Sequence, residues 1–262
     1  MTHSRRARRL LSQLIMKTGY AILPPTAPVR DILAVIRDRH STRCAFDAAH
    51  PIPEVALADL LEAARWAPTA HNMQNFEIVV IDDPTLMTEL GAIEAPVSEV
   101  FVRENYAQLA WSREELRRKQ VGVLAEMFPL AWRDPAVTAE TLQALGESYL
   151  RDTMRGAPMV LVVTYDPRLR APASEGDVLG MMSLGCVMQN LWLAAQAQGI
   201  GVHVMSTFAT DPVATHVKHV LGIPETLNIA FAIALGYSTA APDALRVRRE
   251  VERFAHRNRY RG

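Results

Sequence analysis

Two segments hold residues whose types and spacing could do chemistry. Ala67-Pro68-Thr69-Ala70-His71-Asn72-Met73-Gln74-Asn75-Phe76 sets small residues, amides and a turn-forming proline between an amphipathic helical pattern and an apolar strand pattern. Amides offer both donor and acceptor, which suits the polar edge of a planar aromatic ligand. Upstream, Arg39-His40-Ser41-Thr42-Arg43 supplies two guanidiniums and hydroxyl groups, donors matched to an anionic phosphate. Other constellations carry less. His203, His216 and His219 can be drawn as a metal site, but no carboxylate or thiol falls at a supporting spacing, so no metal is expected. Gly199-Ile200-Gly201 leads into a strand rather than from strand into helix and so is not a dinucleotide fingerprint. There is no Gly-x-Ser-x-Gly elbow and no Walker lysine, which removes common hydrolase and P-loop readings. These exclusions leave the amide and arginine segments as the chemistry to be explained.

The elements that must position these residues interleave. Residues 53–66 place Leu57, Leu60, Leu61 and Ala64 at helical spacing after a proline start. Strands are expected at 76–81, 159–164, 201–208 and 227–235, the last closed by Gly236. Asp211-Pro212 opens a helix that ends near Gly222-Ile223-Pro224. Residues 178–195 approach a membrane span in length, yet Ser183, Gln189 and Asn190 interrupt them and no Lys or Arg cluster anchors them at an interface. They read as a helix apolar on nearly every face, buried all round at a subunit interface. This pattern favours a mixed α/β or α+β domain with helices covering a sheet.

One domain is expected over 1–262. It carries an N-terminal arm at 1–28, basic but without a secretory cleavage pattern, and a charged helical excursion at 98–155 whose aromatic side chains could form a lid. With 28 basic and 28 acidic residues the net charge is zero, so neither nucleic acid nor an anionic membrane is an expected partner. Two cysteines, Cys44 and Cys186, make no disulfide framework, which fits a reducing cytoplasm.

The order of the Arg39–Arg43 motif with Phe46 following, the Ala67–Gln74 motif, Gly199-Ile200-Gly201, Leu221-Gly222-Ile223-Pro224 and Ala234-Leu235-Gly236-Tyr237 resembles the FMN-dependent nitroreductase family, over roughly 31–260 without the excursion. The resemblance implies an α+β fold with a central mixed sheet, a helical lid insertion and an obligate homodimer. It also implies two FMN molecules at the dimer interface and a two-step ping-pong cycle. In that cycle NADH or NADPH delivers a hydride through flavin N5 to a planar electron-poor acceptor such as a nitroaromatic or quinone. It matches Arg39 and Ser41, with His40 between them, to the FMN phosphate, and Arg43 to the ribityl chain and pyrimidine edge. Pro68, Thr69 and Ala70 match the turn under the isoalloxazine, and Asn72 and Gln74 match amides on its N3, O4 or O2 edge. Met205, Ser206 and Thr207 match the segment against N5, with Ser206 where some relatives have an acid. Arg246 and Arg248 match a basic motif that completes the phosphate site; Glu250 stands where a proline is common, and a slip of one would make Arg249 the ligand. No side chain is assigned a catalytic role, because FMN carries the hydride. Relatives with larger lids include reductive dehalogenases and flavin-fragmenting enzymes, so those chemistries stay open, as does non-enzymatic flavin binding.

Overall fold

The computed structural model describes residues 32–98, 100–101, 112–120, 139–172, 174–240 and 246–260. The chain divides into units 1–34 and 35–262; only the first residues of one helix are described in the former, so the architecture below is that of the latter. The expected N-terminal arm and much of the 98–155 excursion lie outside the described residues. Of the excursion the structure shows α4 (Arg113–Lys119) and α5 (Ala139–Met154), with no strand among its described residues.

Four strands, β1 (Phe76–Ile81), β2 (Met159–Tyr165), β3 (Gly201–Met205) and β4 (Asn228–Gly236), form one sheet in the order β1-β2-β4-β3. Every described pairing is antiparallel, so the mixed character implied by resemblance is not carried by these four strands. β3 ends at Met205 and passes into a short 3-10 turn over Ser206–Ala209, earlier than the apolar run to Phe208 suggests. Phe208 is fully buried, and its hydrophobicity serves the core from that turn rather than from a strand.

Strand side chains alternate between faces, and here both faces are covered. On one side Val160, Val162, Ala232, Ala234 and Met205 pack with Leu90 of α3 (Pro84–Gly91), Leu150 and Met154 of α5, and Val213 and Val217 of α7 (Val213–Leu221). On the other, Met159, Leu161, Val163, Ile233 and Leu235 pack with Leu57 and Leu60 of α2 (Glu54–Arg65) and with Leu184, Val187 and Leu191 of α6 (Val178–Ala197). Each large aliphatic side chain buried this way contributes about 2 kcal/mol.

Helix α6 has the length and apolarity of a membrane span, but its Ser183, Leu184, Val187, Leu191 and Ala195 are buried on α2 and the sheet. Burial all round does not hold within one chain: Val178 is 60% and Met182 62% exposed, with Met181 and Leu179 also open. Helix α1 (Ile32–Asp38) leads directly into the Arg39–Arg43 segment, so Arg39 and Arg43 are not a pair on one helix.

Candidate functional site

Thr42 fastens the cationic segment to the sheet. Its backbone N–H donates to Val202 O at 2.7 Å and its Oγ1 accepts from Val202 N at 3.1 Å, and Thr42 is buried. The next anchor is Phe46, whose ring covers the paired glycines Gly201 and Gly236 at the end of the β3–β4 ladder. A Cβ on Gly201 would lie 2.6 Å from Thr42 Oγ1 and one on Gly236 2.8 Å from the Phe46 ring, so only glycine admits these contacts. Thr42 and Phe46 thereby hold the segment in one register, with Arg39 and Arg43 on either side of the staple.

Arg39 lies with its guanidinium over the Trp192 ring at 4.3 Å, and Trp192 Nε1–H donates to His40 O at 3.0 Å. Partial burial, and then the neighbouring Arg248 and Arg246 guanidiniums, lower the Arg39 pKa from its ordinary value. The sequence separates these arginines by over two hundred residues, and the fold makes them electrostatic neighbours. None of the three has a carboxylate partner among the described residues; Arg248 Nη1 donates only to the adjacent Val247 O at 2.7 Å. Like charges gathered without counter-charge are favourable only where an anion completes them. Arg249 sits 5.7 Å from the Phe254 ring instead and shows no such coupling to Arg39.

Arg43 points to a drier place. Burial pushes its pKa down to about 10, and its Nε is buried with no hydrogen-bond partner among the described residues, a donor in want of an acceptor. Its carbonyl accepts from Arg155 Nη1 at 2.9 Å. Close by, buried His203 has its pKa pushed down to about 4, chiefly by desolvation and further by Arg43 and Arg155. The neutral ring donates from Nδ1 to Thr153 O at 2.8 Å, which makes His203 a core residue, while His216 bonds its own helix at Pro212 O. Among the described residues no three potential metal ligands gather.

The loop after α2 is shaped by its own hydrogen bonds. His71, Asn72 and Gln74 take positive φ of 52°, 54° and 47°, conformations that cost non-glycine residues about 1 kcal/mol or more each and mark a backbone held in place by its surroundings. Thr69 Oγ1 accepts from Gln74 N at 3.1 Å, and Gln74 Nε2 donates to Asn72 Oδ1 at 3.1 Å, so the two amides form one exposed fork. Asn75, without an expected role, is buried and ties the loop to Leu169 O. Helix α6 braces the loop and the helix before it: Ser183 Oγ accepts from Ala70 N of the loop at 2.9 Å, and Asn190 Nδ2 donates to Ala63 O of α2 at 2.9 Å. Pro68 is exposed and Thr69 and Ala70 are half-buried beside the fork.

After β3, Ser206 is exposed and Thr207 half-buried, whereas Met205 is buried in the core and has only backbone left to offer a ligand. Ser41 and His40 are half-buried next to Arg39. Trp192, Ser183 and Asn190 are the positioning residues that motif reading missed. In sequence they look like irregularities of an apolar helix, and polar groups in a buried helix were the signal that could have found the last two.

On helix α6, Ser183 and Trp192 are nine residues apart, about 180° around the axis and about 13 Å along it. The amide loop and the arginine cluster are therefore fastened to opposite sides of the same helix, with the helix between them.

Comparison with known proteins gives a consistent frame. The model of the family described as "Nitroreductase family" matches residues 36–237. A curated NADH dehydrogenase of Thermus thermophilus is 28% identical over 212 residues, 81% of this chain and 89% of that protein. A solved nitroreductase with bound FMN from Desulfitobacterium hafniense is 22% identical with a TM-score of 0.53, covering 86% of this chain and 97% of its own. An FMN-dependent nitroreductase from Clostridium difficile R20291 reaches a TM-score of 0.56 at 14% identity, over 87% and 99% of the two chains.

Proposed function

The chain belongs to the nitroreductase family and is an NAD(P)H-dependent flavin oxidoreductase; from that premise we propose that it passes a hydride to a planar electron-poor acceptor, such as a nitroaromatic or quinone, in a two-step ping-pong cycle. The observation that carries most weight is the gathering of Arg39, Arg246 and Arg248 without a carboxylate partner among the described residues, together with a buried Arg43 Nε that has no hydrogen-bond partner among them. A phosphorylated ligand with a hydrogen-bonding ring edge fits this donor set. When bound, FMN supplies hydride acceptance and donation at N5, so no side chain need act as a strong acid or base.

The chain's own residues bind, orient and shield. Arg39 with Arg248 and Arg246 holds the phosphate, and Ser41 adds a hydroxyl donor. Arg43 would meet negative charge at the pyrimidine edge, where a guanidinium already desolvated is worth more than one in water. Asn72 and Gln74 would present the amide fork to the ring edge, the turn at Pro68, Thr69 and Ala70 would support the ring, and Ser206 and Thr207 would border the reacting face. Because the amide loop and the arginine cluster flank α6, each complete site combines the cluster of one protomer with the loop of its partner, and the open face of α6 is the dimer interface.

The visible spectrum of the purified protein, together with NADH and NADPH oxidation in the presence of a nitroaromatic, tests the reading. A yellow protein whose nicotinamide oxidation depends on the acceptor supports it. Protein that stays colourless after FMN is added, and leaves both nicotinamides unoxidised, overturns it.

A further inference from the structure

We propose that Trp192 is a positioning residue for the phosphate end of the flavin site: its indole face holds the Arg39 guanidinium while its N–H pins the carbonyl of His40, so that the arginine is set before any anion arrives. This rests on the functional reading above and deepens it.

The geometry is specific. Arg39 Cζ stands 4.3 Å from the ring centroid, within the range where a cation is attracted by the negative face of an indole. The same ring's Nε1–H reaches His40 O at 3.0 Å, so one side chain of α6 fixes both the backbone and the side chain of consecutive residues in the cationic segment. Arg39 needs this help. It emerges just past the end of α1, its charge is opposed by Arg248 and Arg246, and it has no carboxylate partner among the described residues. A long side chain under like-charge repulsion turns to solvent unless something holds it, and in doing so loses the preorganisation that binding requires. The indole attracts the cation without neutralising it. A carboxylate in the same place would hold Arg39 as firmly and cancel the charge that the phosphate needs.

The role predicts an effect confined to the phosphate. Apo-protein carrying Trp192→Leu, or the milder Trp192→Phe that keeps an aromatic face but loses the N–H donor, is titrated with FMN and with riboflavin, which has the same ring system and no phosphate, and binding is read by flavin fluorescence. Expected is about a tenfold loss of FMN affinity for Trp192→Leu and about threefold for Trp192→Phe, with riboflavin affinity unchanged in both. The FMN loss should also shrink as salt is raised, because screening weakens the arginine contribution in every form. Equal weakening of both flavins would show that Trp192 acts only through packing and overturns the proposal, as does unchanged FMN affinity in both variants. Wild-type protein that binds no FMN overturns the functional reading itself, and this inference with it.

Discussion

At the scale of single residues the fold holds titratable groups against their own interest. His203 is held neutral in the core with its pKa near 4 rather than the ordinary 6.5. As pH falls below 6.5 the unfolded chain takes up a proton at this position while the folded chain does not, so stability drops until about pH 4, where both states are protonated; the full cost is about 3 kcal/mol. Melting temperatures measured between pH 7 and 4 should therefore fall less steeply for His203→Gln, which keeps a donor for Thr153 O, than for the wild type. Parallel slopes would mean that other groups set the acid sensitivity. Arg248 and Arg246 would bear on the ligand of the proposed site instead. Removing one charge-assisted contact to a phosphate costs about 1.5–3 kcal/mol, so Arg248→Ala should weaken FMN binding by about tenfold to a hundredfold in a fluorescence titration, and Arg249→Ala, whose guanidinium sits by Phe254, should change it little. The reverse ranking would place the phosphate contact one residue along the chain. The cationic segment was legible only together with the amide loop downstream, since two arginines four apart would otherwise read as an exposed pair at a helix end. The burial of Met205 and the clamp by Trp192 were not, since each depends on residues far off in the chain that no local pattern names.

Among the elements, the β3–β4 edge does the most to aim the site. Gly201 and Gly236 face each other across the ladder, and the space a side chain would take is filled by Phe46 and Thr42. Gly201→Ala would bring a methyl to 2.6 Å from Thr42 Oγ1. The backbone pair between Thr42 and Val202 must then part, at a cost typical of overpacking, about 1–3 kcal/mol, and Arg39 and Arg43 shift together. The expected outcome is a lower melting temperature accompanied by weaker FMN binding, read on the same sample. A stable variant with wild-type affinity would show that the staple does not aim the arginines. Strands such as Met159–Tyr165 and helices such as Val213–Leu221 could be read from periodicity and punctuation, because one repeat and one turn signal decide each. The early end of β3 could not: Phe208 extends the strand-like run past Ser206 and Thr207, and only the core position it takes in the 3-10 turn over Ser206–Ala209 shows that the chain has left the sheet.

For the whole molecule the decisive feature is helix α6, which fastens the amide loop through Ser183 on one side and stacks Trp192 under Arg39 on the other. Its exposed Val178, Met181 and Met182 make an apolar face that a single chain leaves in water. In the proposed dimer, a two-fold pairing through that face would cover it and bring the loop of each protomer to the cluster of the other. Subunit mixing tests this arrangement. One variant carries Arg39→Ala with Arg248→Ala, and loses the cluster; the other carries Asn72→Leu with Gln74→Leu, and loses the amide fork. Each alone should bind FMN poorly. Unfolded together and refolded as a mixture, they form hybrids in which one site takes both damaged parts and the other takes both intact parts. Since random pairing makes half the dimers hybrid, about a quarter of all sites should recover wild-type affinity. A site contained within one chain would recover none, because every chain in the mixture carries one damaged half. The titration of bound flavin per protomer separates these outcomes, and the same hybrids should regain nicotinamide oxidation in proportion to the flavin they hold.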